Sequence, residues 1–193
     1  MHKWVGAILI VTWSLSRAYF WARSGRRKVV SSNMPLRRRL LLAVAGASFL
    51  PAYLYYFTPL LDRFDASVPV GFTWVGNLGL AASIALFVWS HHALGSAWSA
   101  GVDVAQGQRL VTSGPFRWLR HPMYASLLLL AASLILATHN TVASTPFVLA
   151  TLAMYFERVG DEERLLARTF GHEYLSYARS TGRVLPRLWR PRG

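Results

Sequence analysis

Long apolar runs alternate with short basic segments along the chain. The runs extend over about Trp4 to Trp21, Leu40 to Leu61, Val70 to Leu94, Pro122 to Ala137 and Thr141 to Phe156. Because a helix rises 1.5 Å per residue, about 20 apolar residues cross a hydrocarbon core of roughly 30 Å. The pattern predicts an all-α, polytopic membrane protein with about five transmembrane helices. Only residues 138–140 separate the last two runs, which predicts a helical hairpin.

The composition agrees with a bilayer environment and excludes several classes of protein. Of the 193 residues, 53% are hydrophobic and 15% are charged, whereas a soluble domain carries about 25% charged residues. The sequence contains no cysteine, which excludes a disulfide framework, a thiolate nucleophile and a cysteine zinc site. No repeat, low-complexity tract or linker divides the chain, so residues 1–193 are predicted to form a single domain.

Basic residues are concentrated on one predicted side of the membrane. The chain has 21 Lys and Arg residues against 8 Asp and Glu residues, a net charge of +13. Seven of the basic residues lie between the first two runs, three between Gly95 and His121, and eight from Arg158 onward. Because basic loops stay in the cytoplasm, the N-terminus is predicted outside and the C-terminus inside. Anionic lipids are the expected partners of this basic face. Nucleic acid is not expected, since no base-stacking module accompanies the charges.

The segment from Glu157 to Gly193 predicts a cytoplasmic amphipathic helix. At 100° per residue, one face is apolar and aromatic (Val159, Leu166, Phe170, Tyr174 and Tyr177) and the opposite face is basic (Arg164, Arg168 and Arg179). Glu163 falls inside the apolar face and Glu162 at its edge, where a carboxylate needs a partner. Two interpretations stay open. The pair is solvated, or Glu162 is simply paired with Arg158 at i,i+4; alternatively, one glutamate accepts hydrogen bonds from a ligand.

The sequence Arg120-His121-Pro122-Met123-Tyr124 lies where a polar connection becomes a membrane helix. Proline suits the first turn of a helix, because it needs no hydrogen-bond donor there. Arg120 and His121 are then expected at the positive end of the helix, which favours an anion such as a carboxylate. The alternative is an interfacial anchor, with the arginine reaching lipid headgroups and Tyr124 in the aromatic belt.

Common motifs for metals and nucleotides are missing from the sequence. It contains no GxGxxG, Walker or HExxH pattern. His91-His92 and His139 have no companion ligands at metal-site spacing, so no metal is predicted. A nucleotide-like cofactor would need a site other than a Rossmann fold.

Six segments, all in the C-terminal half, carry a resemblance to a known family. They are Gly95-Ser96-Ala97-Trp98-Ser99, Leu110-Val111-Thr112-Ser113-Gly114-Pro115-Phe116, Arg120-His121-Pro122-Met123-Tyr124, Arg158 with Glu162-Glu163-Arg164-Leu165-Leu166, Phe170-Gly171-His172-Glu173-Tyr174 with Tyr177, and Gly182-Arg183-Val184-Leu185-Pro186. Together they resemble the isoprenylcysteine carboxyl methyltransferase family, most closely its short prokaryotic members. The combination of Arg-His-Pro-x-Tyr with a distant Glu-Glu pair is specific, whereas either motif alone is not.

The resemblance implies an integral-membrane enzyme that binds S-adenosylmethionine without a Rossmann fold and releases S-adenosylhomocysteine. The cofactor pocket would face the cytoplasm and lie within residues 95–193, after three spans in residues 1–94. A lipophilic or prenylated substrate would enter from the bilayer. The residues implied for the cofactor are His121, Tyr124 and Glu163, with Glu162 as the other candidate of the pair, and those implied for the substrate carboxylate are Arg120 and Arg158. No metal is implied.

The expected reaction is methyl-esterification of a prenylated cysteine carboxylate or of a similar amphiphile. A C-terminal carboxyl group has a pKa of about 3.3 to 3.7, so it is ionised at neutral pH and needs no general base. A lipid-amine or thiol methyltransferase of the same superfamily is the enzymatic alternative, and an amine would need a base. A sterol reductase, which uses a nicotinamide cofactor, is a further alternative, because sterol reductases share part of this C-terminal architecture. A non-enzymatic membrane scaffold that binds anionic lipids is the alternative from a different class.

Overall fold

The computed structural model describes residues 2–24, 36–95 and 109–187, which are helical and contain no β-strand. The helices are α1 (His2–Ser24), α2 (Leu36–Ala47), α3 (Leu50–Phe57), α4 (Val70–Leu94), α5 (Pro122–Thr138), α6 (Thr141–Phe170) and α7 (His172–Ser180), with 3-10 turns at Asp62–Phe64 and Gly114–Arg117. The predicted all-α class is confirmed. Of the motif Gly95-Ser96-Ala97-Trp98-Ser99, only Gly95 is among the described residues.

Within the described residues, three segments are long and apolar enough to cross a membrane: Lys3–Arg23, Arg39–Phe57 and Val70–Leu94. The second of them contains a break between α2 and α3, and Pro51 lies in the first turn of α3. α5 is apolar but shorter. The chain is therefore an integral membrane protein, while the number of spans and the side of each terminus stay predictions.

The predicted fifth span and the predicted tail helix form one helix in the structure. α6 runs without interruption from Thr141 to Phe170, so its apolar half continues into the segment that carries the glutamate pair. The helix ends at Gly171, whose φ of +52° is left-handed, and α7 follows. The bounds predicted for a single tail helix from Glu157 are therefore wrong, because hydrophobic periodicity marks faces and not helix ends.

The predicted hairpin between α5 and α6 is confirmed. His139 ends α5 in the left-handed conformation, with a φ of +40°. Asn140 caps α6, because its side-chain Oδ1 accepts a hydrogen bond from the Ala143 N–H at 3.0 Å. Both residue types suit these positions in a tight turn.

The starts of α1 and α6 lie at the same end of the helix bundle. The Asn140 side-chain amide donates to the Leu61 carbonyl at 2.8 Å and to Asp65 Oδ1 at 2.7 Å. Lys3, at the start of α1, pairs with Asp62 and lies 3.9 Å from Asp65 Oδ2. Because both helices start at this end, α1 and α6 run toward the opposite end of the bundle, which we call the site end.

The buried ring of Trp13 joins four parts of the chain. It stacks on Phe49 at 4.6 Å between centroids, and it contacts Phe87 of α4 at 5.7 Å and Phe147 of α6 edge-on at 6.3 Å. Trp13 is 1% exposed. Because the indole is large and rigid, it fixes α1 against α4 and α6.

α4 and α5 approach each other closely through small residues. A Cβ atom on Gly76 would lie 2.3 Å from the Ala137 backbone nitrogen, and one on Gly79 would lie 2.1 Å from Ser133 Oγ. Small residues allow this approach between membrane helices. These two contacts also fix the register of α4 against α5.

We expect Gly76→Ala to destabilise the bundle by roughly 1–3 kcal/mol, because the added methyl group has no space against α5. The measurement is the melting temperature of the purified protein in detergent. Gly71→Ala is the matched control on the same helix, since nothing lies within 4 Å of a Cβ at Gly71. Equal melting temperatures for the two variants would contradict the close packing of α4 on α5.

Candidate functional site

The segment after α7, residues 181–187, passes over the start of α5 and is called the C-terminal strap. The Arg120 N–H donates to the Gly182 carbonyl at 2.7 Å, and the His121 N–H donates to the Arg183 carbonyl at 2.9 Å. A Cβ on Gly182 would lie 1.8 Å from the Leu185 carbonyl oxygen, so only glycine fits this turn. The strap therefore fixes the backbone immediately before the first turn of α5.

Arg120 connects the start of α5 with α6, α7 and the C-terminal strap. Its Nε donates to Glu163 Oε1 at 2.9 Å, and its Nη1 donates to the carbonyls of Ala178 and Thr181, each at 2.6 Å. The side chain is only 13% exposed. Arg120 is therefore not the lipid-facing anchor of the alternative interpretation, because its guanidinium points into the protein.

Glu163 lies between two arginines and a histidine. Besides Arg120, it accepts hydrogen bonds from Arg183, whose Nη2 lies 2.6 Å from Oε2 and whose Nε lies 3.1 Å from both oxygens. His121 Nε2 lies 3.4 Å from Oε1. With a side chain that is 16% exposed, Glu163 is paired and largely buried, which excludes a solvated first turn.

The surroundings of Glu163 keep its carboxylate ionised. Burial alone would raise its pKa, but the contacts with His121, Arg183 and Arg120 outweigh burial and lower the pKa to about 2. The carboxylate is therefore charged at neutral pH. The hydrogen bond and the charge of Glu163 in turn raise the pKa of the Arg183 guanidinium, so both members of the pair favour the charged form.

Glu162 faces a different set of donors from Glu163. Tyr124 donates its hydroxyl to Glu162 Oε1 at 2.8 Å, and Arg158 Nη2 lies 3.3 Å from the same oxygen. The second oxygen, Oε2, lies 3.7 Å from His121 Nδ1, which is beyond hydrogen-bond distance. The expected i,i+4 pair with Arg158 is therefore present, together with a contact to α5.

The buried polar atoms at the site without a hydrogen-bond partner in the described part of the chain include the Tyr174 hydroxyl and His121 Nε2, whose nearest acceptor is Glu163 Oε1 at 3.4 Å. Burial, and after it the charge of Glu163, raises the pKa of Tyr174 to about 12, so the hydroxyl keeps its proton. Buried polar groups in a native site usually have a partner, so these atoms are available to a ligand.

The structure brings all six sequence-predicted residues to one place at the site end: Arg120, His121, Tyr124, Arg158, Glu162 and Glu163. Sequence reasoning gave no role to Arg183 or to Tyr177, whose hydroxyl donates to the Phe116 carbonyl at 2.6 Å. Both belong to motifs that carried the resemblance. The sequence signal that could have indicated Arg183 is its position directly after Gly182, because a tight turn at Gly182 returns the chain to α5.

The cluster has one more guanidinium group than carboxylates, which favours binding of an anion. Two carboxylates, Glu162 and Glu163, face three guanidinium groups, those of Arg120, Arg158 and Arg183. A ligand that carries both a carboxylate and hydrogen-bond donors is complementary to such a mixed cluster.

Three comparisons identify similar proteins. The sequence profile of the isoprenylcysteine carboxyl methyltransferase (ICMT) family matches residues 76–168. The chain is 34% identical over 122 residues to the cobalt-zinc-cadmium resistance protein CzcN of Cupriavidus metallidurans, covering 63% of this chain and 55% of that one. It is 28% identical over 118 residues to protein-S-isoprenylcysteine O-methyltransferase A of Arabidopsis thaliana, covering 58% of this chain and 60% of that one.

The fold is similar to a solved structure of the eukaryotic intramembrane Ras methyltransferase ICMT. The TM-score is 0.59 at 23% sequence identity, over 86% of this chain and 60% of that chain. The chain thus covers less than two thirds of the length of each of these proteins. The family match extends from α4 to the last turn of α6 and contains all six predicted site residues. Through this region, the chain is similar to the isoprenylcysteine carboxyl methyltransferase family.

Proposed function

We propose that this protein is an S-adenosylmethionine-dependent methyltransferase that esterifies the carboxylate of a prenylated cysteine or a similar lipophilic acceptor. The observation that carries the proposal is the cluster of Glu162 and Glu163 with His121 and Tyr124 at the first turn of α5. This cluster lies inside the segment that matches the family.

The residues of the cluster fit S-adenosylmethionine in charge and hydrogen bonding. The cofactor carries a sulfonium, an ammonium, a carboxylate and ribose hydroxyls, and the site offers carboxylates, guanidinium groups and two unpartnered buried atoms. Within the pair we assign the contact with the cofactor to Glu162, because both oxygens of Glu163 already accept hydrogen bonds from arginine. Glu163 then orders Arg120 and Arg183, and His121 and Tyr124 complete the cofactor site.

The protein's part in the reaction is to orient an acceptor that is already ionised. The bound cofactor would supply a methyl group on sulfur. Arg158, and beside it Arg120, would hold the acceptor carboxylate in line and offset the cost of removing its charge from water. Arg120 also makes three hydrogen bonds within the protein, which fix the position of its guanidinium.

A lipid amine or thiol is the second candidate acceptor, and His121 is the observation in its favour. The imidazole lies 3.7 Å from Glu162 and 3.4 Å from Glu163. An acceptor that must lose a proton needs a base, and an imidazole beside carboxylates is suited to that role.

The proposal is tested by cofactor binding and by the chemistry of the product. We expect detergent-purified protein to bind S-adenosylmethionine saturably in calorimetry. We expect it to transfer labelled methyl to farnesylcysteine in preference to a long-chain amine or thiol. Alkali releases methanol from a methyl ester but not from a methylamine or thioether, so the released label identifies the bond that was formed.

Each outcome of this experiment bears on the proposal. Alkali-labile label on farnesylcysteine supports carboxyl methylation. Alkali-stable label on the amine or thiol would overturn the ester assignment and favour the second candidate. If folded protein bound neither S-adenosylmethionine nor S-adenosylhomocysteine, the methyltransferase proposal would be wrong, and nicotinamide cofactors and anionic lipids would be tested next.

A further inference from the structure

An aromatic side chain outside the six predicted residues, that of Tyr155, lies beside the candidate site. Its ring centroid is 5.7 Å from that of Tyr124, and the two ring planes meet edge-on at 76°. Tyr124 is buried, and its hydroxyl donates to Glu162 Oε1 at 2.8 Å. The Tyr124 side chain therefore contacts Glu162 through its hydroxyl and Tyr155 through its ring.

The geometry of α6 explains why Tyr155 reaches this place. Tyr155 precedes Glu162 by seven residues, about two helical turns, so the two residues share one face of α6. The pKa of the Arg183 guanidinium is raised mainly by the hydrogen bond and the charge of Glu163, and Tyr155 raises it further. Tyr155 thus lies near the C-terminal strap as well as near α5.

Tyr155 also lies where α6 changes from apolar to charged. Residues 141–156 contain no charged side chain, whereas six of residues 157–164 are charged. A polar cofactor bound among the charged residues and a lipophilic acceptor in the bilayer would meet at this boundary. The transferred methyl group must lie there too, because the transfer requires the two reactants in contact.

The group that carries this methyl is a sulfonium, a cation without an N–H or O–H donor. Its partners are therefore negative charges and electron-rich surfaces. Negative charge is already engaged at the site, because both oxygens of Glu163 accept hydrogen bonds from arginine and three guanidinium groups face two carboxylates. The faces of aromatic rings are an electron-rich alternative, and they bind quaternary ammonium groups, which also lack donors.

Two properties of the pair formed by Tyr124 and Tyr155 suit a sulfonium. Rings that meet at 76° present their faces in two directions, as the walls of an aromatic cage do. A ring face also offers no nucleophilic oxygen, whereas a carboxylate next to the sulfonium would compete with the acceptor for the methyl group. Glu162 is then left to accept a hydrogen bond from another part of the cofactor.

We propose that Tyr155, together with Tyr124, binds the sulfonium of S-adenosylmethionine through the faces of the two rings. This inference rests on the proposed function for the identity of the cofactor, and it adds Tyr155 to the residues of the site. Methyl transfer to the acceptor oxygen leaves the bonding electron pair on sulfur, so the product is a neutral thioether. The thioether has lost its electrostatic attraction to the rings, which favours release of S-adenosylhomocysteine.

The test compares Tyr155→Leu with the matched control Phe156→Leu. Phe156 is the next residue of α6 and also loses an aromatic ring, but it is 72% exposed. Calorimetry on the purified proteins gives the dissociation constants of S-adenosylmethionine and S-adenosylhomocysteine. We expect Tyr155→Leu to weaken S-adenosylmethionine about tenfold and S-adenosylhomocysteine less than about twofold, because only the first ligand carries the sulfonium charge. Phe156→Leu should weaken neither ligand.

A second set of variants keeps the ring at position 155 and changes its electron density. Tyr155→Phe should keep most of the affinity for S-adenosylmethionine. Replacement of Tyr155 by mono-, di- and trifluorinated phenylalanine should weaken S-adenosylmethionine in steps, since fluorine withdraws electrons from the ring face that attracts the cation. The affinity for S-adenosylhomocysteine should stay constant through the series, which also shows that each variant is folded.

Three results would overturn the inference. Equal weakening of both ligands in Tyr155→Leu would mean that Tyr155 contacts a part that they share, or only supports Tyr124. Unchanged binding of S-adenosylmethionine would mean that the ring does not contact the sulfonium. A fluorinated series without a trend would mean that the shape of the ring matters and its charge distribution does not. Failure of the proposed function is distinguishable from all three, because folded wild type would then bind neither ligand.

Discussion

Glu162→Gln is expected to weaken S-adenosylmethionine binding about a hundredfold. The substitution removes the negative charge of a carboxylate that accepts a hydrogen bond from the Tyr124 hydroxyl and lies beside Arg158. It also replaces one carboxylate oxygen with an amide NH2 group, which cannot accept the hydrogen bond proposed from the cofactor. Hydrogen bonds to charged groups contribute about 1.5–3 kcal/mol each, and tenfold in affinity is about 1.4 kcal/mol. Calorimetry on the purified protein gives the dissociation constant directly.

The matched control for this prediction is Glu157→Gln. Glu157 lies on the same helix and also pairs with an arginine, since Arg37 Nη2 lies 2.6 Å from its Oε2, but Arg37 is 76% exposed. Exposed pairs contribute little, so the affinity should stay within about twofold. Unchanged binding in Glu162→Gln, together with lost binding in folded Glu163→Gln, would reverse the assignment within the glutamate pair.

Local patterns in the sequence predicted two features of the cluster that the structure contains. Proline preference placed Pro122 in the first turn of α5, and the structure has it there. The position of Glu163 on an apolar face predicted a buried carboxylate with a partner, and the structure supplies Arg120 and Arg183. Both inferences needed only helix geometry and the cost of burying a charge.

The features that sequence missed depend on contacts between distant segments. Arg183 is twenty residues from Glu163 and reaches it only because the C-terminal strap turns at Gly182 and binds the backbone of residues 120–121. Hydrophobic periodicity describes the faces of single helices, so it does not detect a contact between the C-terminal strap and the start of α5. The left-handed Gly171 likewise separates Tyr174 from the face of α6 that the pattern assigned to it.

Glu163→Gln is expected to destabilise the protein most at neutral pH and progressively less in acid. The folded-state pKa of Glu163 is about 2, below its usual value of 4.5. Its contribution to stability is therefore complete above pH 4.5 and is lost as the pH falls toward 2. A shift of this size corresponds to roughly 3 kcal/mol, which partial exposure to water reduces to about 2 kcal/mol. The measurement is the difference in melting temperature between wild type and variant from pH 7 to pH 2.5.

Other carboxylates also titrate in this range, so the wild-type melting curve alone is not diagnostic. The difference between wild type and Glu163→Gln isolates one group, and Glu157→Gln, whose partner Arg37 is exposed, again serves as the control with little expected difference at any pH. A constant difference across the range would contradict the pairing of an ionised Glu163 with Arg120 and Arg183. Arg120→Gln should cost more than Arg183→Gln, because the Arg120 side chain is 13% exposed against 53% for Arg183. The order follows because water replaces the contacts of an exposed guanidinium more readily than those of a buried one.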